Sequence, residues 1–164
     1  KRKRIHWDYN WEMIITISNL QQAKNQIYIA KEKPIIVKAQ NVEFNRKILE
    51  YGKFQILLSP ELSQDVKKDG LKQINSGLNH VLAGIAAKNN IAIGIDLQSL
   101  SQREKKQKAI LMPKIKQNIK LCRKANCKLV LLNYKDKKDA FSFLISLEAS
   151  TKQAKEAIYS NWLK

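Results

Sequence analysis

Histidine and cysteine are nearly missing from this chain of 164 residues, which has two of each. Metal-dependent hydrolases need several imidazole and carboxylate ligands converging on one point, and His6 and His80 are a thin supply. Cys122 and Cys127 form neither a zinc motif nor a disulfide framework by themselves. Near a helix end, they read as buried reduced thiols of a cytosolic protein. Glycine is sparse too, at five residues. There is no Gly-rich phosphate loop, no Walker lysine, no GxSxG elbow and no HExxH helix. No run approaches the roughly 18 apolar residues that a membrane span needs. The opening KRKR lacks the apolar core of a signal peptide. The absence of a first Met reads as processing or trimming.

Acidic residues are outnumbered. Lys and Arg total 31 against 14 Asp and Glu, for a net charge of +17. A charge of this size points to a polyanionic partner, with nucleic acid first and an anionic membrane second. The bland alternative is a lysine-rich solvated surface, but the charge is unevenly placed. Residues 1–52 are net +5, residues 53–100 net +1 and residues 101–164 net +11. With 44% apolar residues the chain is not disordered. Its length suits one domain, residues 14–164, behind a basic and aromatic segment, residues 1–13.

The least polar long stretch is Ser76 to Leu97, and the rest is arranged to cover it. Ser76 is the expected N-cap. Leu78, Val81, Leu82, Ile85 and Ala86 share a helix face. Lys88 falls in the last turn, and Asn89 and Asn90 tolerate the left-handed conformation that ends helices. The period then changes to two. Ile91, Ile93, Ile95 and Leu97 point one way; Ala92, Gly94 and Asp96 point the other. That is a buried parallel strand, its large residues toward outer helices and its small ones toward a crowded interior. Asp96 stands at the carboxyl end, where α/β proteins place sites.

Before this unit, Trp7, Tyr9 and Trp11 alternate in an extended or barrel-covering segment. Strands are expected at Ile14–Ser18, Ile35–Val37 and Phe54–Leu58, with helices at Asn19–Ala30 and at Val42–Tyr51, the latter ended by Gly52. Glu61–Asn75 reads as a long polar βα loop with Lys72 in it. After the unit comes the most basic element, a helix within Gln102–Asn126. Its stripe of Leu111, Ile115, Ile119 and Cys122 faces inward; Lys105, Lys116, Lys120, Arg123 and Lys124 lie roughly opposite. Pro113 belongs to its first turn or to a kink. Strand Leu129–Leu132, a turn holding Lys135, helix Ala140–Leu147 and a last helix from Ser150-Thr151 complete the chain. Five βα units imply a parallel sheet with right-handed crossovers. Five strands are too few for an eight-stranded barrel, so an open or reduced barrel is expected. His80 reads as a partly buried structural histidine. Asp96 lacks an acid-base partner, and its bland role is to cap the next element.

The run NHVLAGIAAKNNIAIGIDL, followed by KIKQNIKLCRKANCKLVLL, resembles archaeal ribonuclease P protein component 3. The resemblance extends from about Ile14 to the C-terminus. It includes Ile56–Pro60 (ILLSP), His80–Ala83 (HVLA) and the closing Gln153, Ala154 and Lys155. It implies an incomplete TIM-barrel-like fold related to the polymerase-and-histidinol-phosphatase hydrolases, with KRKRIHWDYNWEM standing where the family has about two further βα units. It departs from the family at Asn133-Tyr134-Lys135-Asp136 and at Gln98-Ser99. The implied function is that of a non-catalytic, cytoplasmic subunit. It would bind the catalytic domain of the ribonuclease P RNA and pair with protein component 2. It would meet precursor tRNA indirectly and no membrane. Magnesium would serve the RNA, and the chain itself would need no cofactor. Lys88 and Lys155 fall on family-like motifs. Lys72, Lys116, Lys120, Arg123, Lys124 and Lys135 join them as RNA-binding candidates on charge and periodicity. Two other readings compete: a small metal-dependent phosphoesterase using Asp96 and His80, and a generic basic scaffold for ribosomal RNA or an anionic membrane.

Overall fold

The computed structural model describes residues 14–63 and 74–158. The aromatic segment with Trp7, Tyr9 and Trp11, and Lys72 in the long loop, lie outside the described residues. Strands and helices alternate as β1 (Ile14–Ile15), α1 (Leu20–Ile29), β2 (Ile36–Lys38), α2 (Val42–Tyr51), β3 (Ile56–Leu58), a 3-10 turn (Pro60–Leu62), α3 (His80–Lys88), β4 (Ala92–Asp96), α4 (Leu97–Ser101), α5 (Lys105–Lys124), β5 (Leu129–Leu132), α6 (Lys137–Ser146) and α7 (Thr151–Ile158). The strands are short: β1, β3 and β4 are trimmed relative to expectation, β2 is shifted by one residue, and β5 has the expected bounds. The five-residue α4 was not foreseen.

The sheet follows chain order, β1-β2-β3-β4-β5, with every neighbouring pair parallel. Ile36 aligns with Ile56, Ile56 with Ala92, and Ile93 with Leu129. The sheet does not close: β1 and β5 are its edges among the described strands.

Its two faces differ as the alternation in β4 requires. Ile91, Ile93 and Ile95 join one large cluster with apolar residues from all the helices, including Ile48 and Leu49 of α2, Leu82 and Ala86 of α3, Ile115 and Ile119 of α5, and Leu144 of α6. The other face is a cluster of strand residues alone: Ile36, Ile56, Leu58, Ala92, Val130 and Leu132, with Ile14 against it. Gly94 lies on that face. A Cβ there would come within 2.8 Å of Ile56 Cγ2 and 3.1 Å of Leu58 Cδ1. The small residues are therefore a packing requirement of the crowded face.

Local chemistry sets the helix ends. Asn19, Asn41, Asn79 and Asp136 each accept a backbone N–H in the first turn of the helix they precede. Asn79, not Ser76, caps α3. Ser76 is buried, and its hydroxyl donates to the Leu78 carbonyl at 3.2 Å. The C-termini of α3, α5 and α6 share one construction. Asn90, Asn126 and Glu148 take φ of 56°, 54° and 64°. The next residue then donates to the carbonyl five positions back: Ile91 to Ala86 at 2.9 Å, Cys127 to Cys122 at 2.8 Å and Ala149 to Leu144 at 3.0 Å. This is the Schellman motif, with its apolar contact between the bonded residues. The left-handed region costs an L residue roughly 1–2 kcal/mol. Two hydrogen bonds of about 1 kcal/mol each, plus the buried contact, offset it. Cys122 and Cys127 are thus neighbours in a helix cap, both free and buried.

Candidate nucleic-acid interface

Helix α5 carries the candidate surface. Leu111, Ile115, Ile119 and Cys122 are buried along it, as their spacing predicts, and Asn118 and Lys114 are buried with them. Asn118 donates its amide to the Ser76 carbonyl at 3.1 Å, which ties α5 to the loop before α3. Gln117 reaches the Ile74 carbonyl at 3.0 Å in the same loop. Pro113 stands in the interior of the helix, not in its first turn. It has no N–H for the carbonyl of Ala109. Ala109 and Pro113 are both exposed, so water can serve that carbonyl. Arg123 and Lys124 occupy the last turn, where cations suit the dipole.

Lys105, Lys116, Lys120, Arg123 and Lys124 are all exposed. Three of them are not simply solvated. Lys116 Nζ lies 2.6 Å from Glu148 Oε1. Arg123 Nη1 donates to the Glu148 carbonyl at 3.0 Å. The hydrogen bond and charge of Lys116 hold the Glu148 carboxyl below its ordinary range, and Lys120 and Arg123 add to this. Periodicity placed the cations on one face. It gave no sign of the acid at the α6–α7 corner, which is 32 residues away from Lys116.

The other candidates are spread out. Lys88 is exposed at the end of α3, at the amino edge of the sheet. Lys135 is exposed in the loop after β5, at the carboxyl edge, and Lys155 is exposed on α7. The α5 cluster is thus the one group of candidates that the described contacts bring together.

A second polar group lies at the carboxyl edge. Asp96 Oδ1 accepts from Ser99 N at 3.1 Å and from the Asn133 amide at 3.0 Å. It caps α4, its bland role. Glu61, in the 3-10 turn after β3, is buried, and its Oε2 has no hydrogen-bond partner among the described residues. Burial pushes its carboxyl up to about 7; its own backbone N–H and the Ser59 hydroxyl oppose this, the Asp96 charge adds to it and Arg103 subtracts. Sequence reading passed over Glu61 as part of a polar loop. His80, expected to be partly buried, is exposed, because it is the first residue of α3 rather than one turn inside it. Among the described residues no three His, Cys, Asp or Glu side chains come together as metal ligands would. No helix among them is long and apolar enough to cross a membrane.

No family model matches the chain. Curated proteins do. Ribonuclease P protein component 3 of Methanococcus vannielii is 25% identical over 118 residues, which are 70% of this chain and 47% of that protein. Its namesake in Methanosarcina acetivorans is 35% identical over 97 residues, 59% of this chain and 36% of that protein. Over part of its length the chain is similar to ribonuclease P protein component 3. It spans less than half the length of these component 3 proteins. The fold agrees. A chain in a cryo-EM structure of archaeal ribonuclease P with mature tRNA superposes with a TM-score of 0.72, at 23% identity, over 88% of this chain and 62% of that one.

Proposed function

We propose that the chain is a non-catalytic protein subunit of ribonuclease P. It binds and braces the catalytic domain of the RNA, which removes the 5′ leader from precursor tRNA. The observation that carries this reading is the convergence of Lys116, Lys120 and Arg123 on one exposed face of α5, in a chain related to component 3. Such a face neutralises phosphates in a salt-dependent way and follows RNA shape rather than base sequence. Lys124 extends it. Lys88, Lys135, Lys155 and Lys72 are further contacts on this reading. Protein component 2 is the protein partner, precursor tRNA is met indirectly, magnesium acts in the RNA, and the complex works in the cytoplasm. On this reading the open parallel sheet is part of a barrel, and its two edges among the described strands suit pairing with a neighbour.

The test is binding of the purified chain to ribonuclease P RNA across a salt series, with and without component 2, followed by cleavage of precursor tRNA. Salt-steep binding to the catalytic domain, and cleavage rescued when both proteins are added, are expected. Binding no tighter than to an unrelated structured RNA of the same length, with no effect of component 2, would leave only a generic basic protein.

A further inference from the structure

The α6–α7 corner sets one carboxylate among three cations. Glu148 receives Lys116 through its side chain and Arg123 through its carbonyl, while Lys120 contributes charge from the same helix. The corner itself does not call for an acid. Glu148 holds the left-handed position of a helix cap, where Gly or Asn is the usual choice. Yet this position points its carboxylate at Lys116 across 32 residues of chain. A carboxylate and a nucleic-acid phosphate offer an ammonium or guanidinium the same kind of partner: two anionic oxygens that accept short charge-assisted hydrogen bonds. The Lys116 and Glu148 side chains are 47% and 67% exposed, so a polymer can reach the pair and exchange with it.

We infer that Glu148 is a resident stand-in for a backbone phosphate: it holds Lys116 in place beside Lys120 and Arg123 in the RNA-free chain, and an RNA phosphate displaces its carboxylate on binding. This rests on the proposed RNA-binding role and deepens it by naming the contact and the group that competes for it. No covalent step is involved. The exchange swaps one ion pair for another, and the released carboxylate returns to water beside Arg123. Glu148 therefore sets a threshold for occupancy of the face. An anion that makes a single contact gains little by displacing it, whereas a strand that also engages Lys120 and Arg123 gains two more contacts.

The test uses the full chain, an archaeal ribonuclease P RNA transcript, and an unrelated structured RNA of equal length. Glu148→Gln should tighten binding roughly threefold to fivefold, the range an exposed ion pair can yield. It should also steepen the salt dependence by about one phosphate contact. Two controls separate this from a general change in charge. Glu50→Gln removes an equal charge from the Arg46 pair on α2 and should leave affinity nearly unchanged. In a Lys116→Gln background the Glu148→Gln effect should vanish. Unchanged or weaker binding by Glu148→Gln, or equal tightening with and without Lys116, would overturn the inference. Failure of the subunit reading shows separately, as equal affinity of the wild-type chain for the two RNAs. The Glu148 comparison can then be made on either RNA.

Discussion

Asn133 donates its side-chain amide to Asp96 across the carboxyl ends of β5 and β4, at 3.0 Å. The same Asp96 oxygen caps α4 through Ser99 N. One carboxylate thus joins two strand ends to the helix that follows. Asp96→Ala should cost about 1–2 kcal/mol, the loss of a cap plus a cross-strand hydrogen bond. Thermal or urea unfolding measures it. RNA affinity at fixed salt should stay as in the wild type. Intact stability with lost RNA binding would instead place Asp96 in the interface.

Glu61 should make stability fall as pH rises. Its folded carboxyl titrates near 7 against an ordinary 4.5, so between those values the folded chain holds a proton that the unfolded chain has released. The favourable contribution is complete below about 4.5 and is lost as the pH passes about 7. The size is on the order of a few kcal/mol. Glu148 acts in the opposite sense, since its carboxyl is lowered, so the measurement must be a difference. Glu61→Gln, compared with wild type by urea unfolding at several pH values, should gain relative stability across that window. A constant difference would mean that the Glu61 carboxyl binds its proton equally in the folded and unfolded chain.

Two glycines should differ in their tolerance of alanine. Gly94→Ala pushes a methyl against Ile56 and Leu58 on the crowded face. Overpacking of this kind costs about 1–3 kcal/mol, and the fold should survive. Gly77 has φ of 73°, and a Cβ there would lie 1.8 Å from the Pro60 carbonyl oxygen. Backbone must move to admit it. Gly77→Ala should cost more than roughly 3 kcal/mol, since left-handed strain adds to the clash. The order of the two melting temperatures checks the prediction.

Asn126→Gly should stabilise the chain. The residue holds φ of 54° in the cap of α5. Glycine there avoids the side-chain clash but has more freedom to lose on folding, so the net gain is small, about 0.5 kcal/mol. A small rise in melting temperature, with the RNA salt slope unchanged, is the expected result.

Most of the fold was legible because its signals are local. The alternation from Ile91 to Asp96 and the stripe from Leu111 to Cys122 are periodicities that survive any tertiary context, and both fall where expected. Gly52 ends α2 in the left-handed region at φ 74°, as a glycine after an amphipathic run suggests. What escaped was decided by contacts distant in sequence. Asn45 looks like a surface residue of α2. It is fully buried: its Oδ1 accepts from Gln40 N at 2.8 Å and its Nδ2 donates to Ser63 Oγ at 3.1 Å. Nothing in the pattern around Ser76 revealed that its backbone carbonyl would be needed by Asn118. Likewise the basic face of α5 was visible as charge, while Glu148 was one acid among several in the C-terminal third. A resident counter-charge cannot be read from spacing when its partner lies two elements away.

The order of strands in the sheet is also their order in the chain. Among the described strands each bonds only to those before and after it in sequence, and none is inserted between two others. Adding or deleting a βα unit at either edge would leave every remaining pair intact. An edge strand can therefore be reached from outside without disturbing any pair already formed.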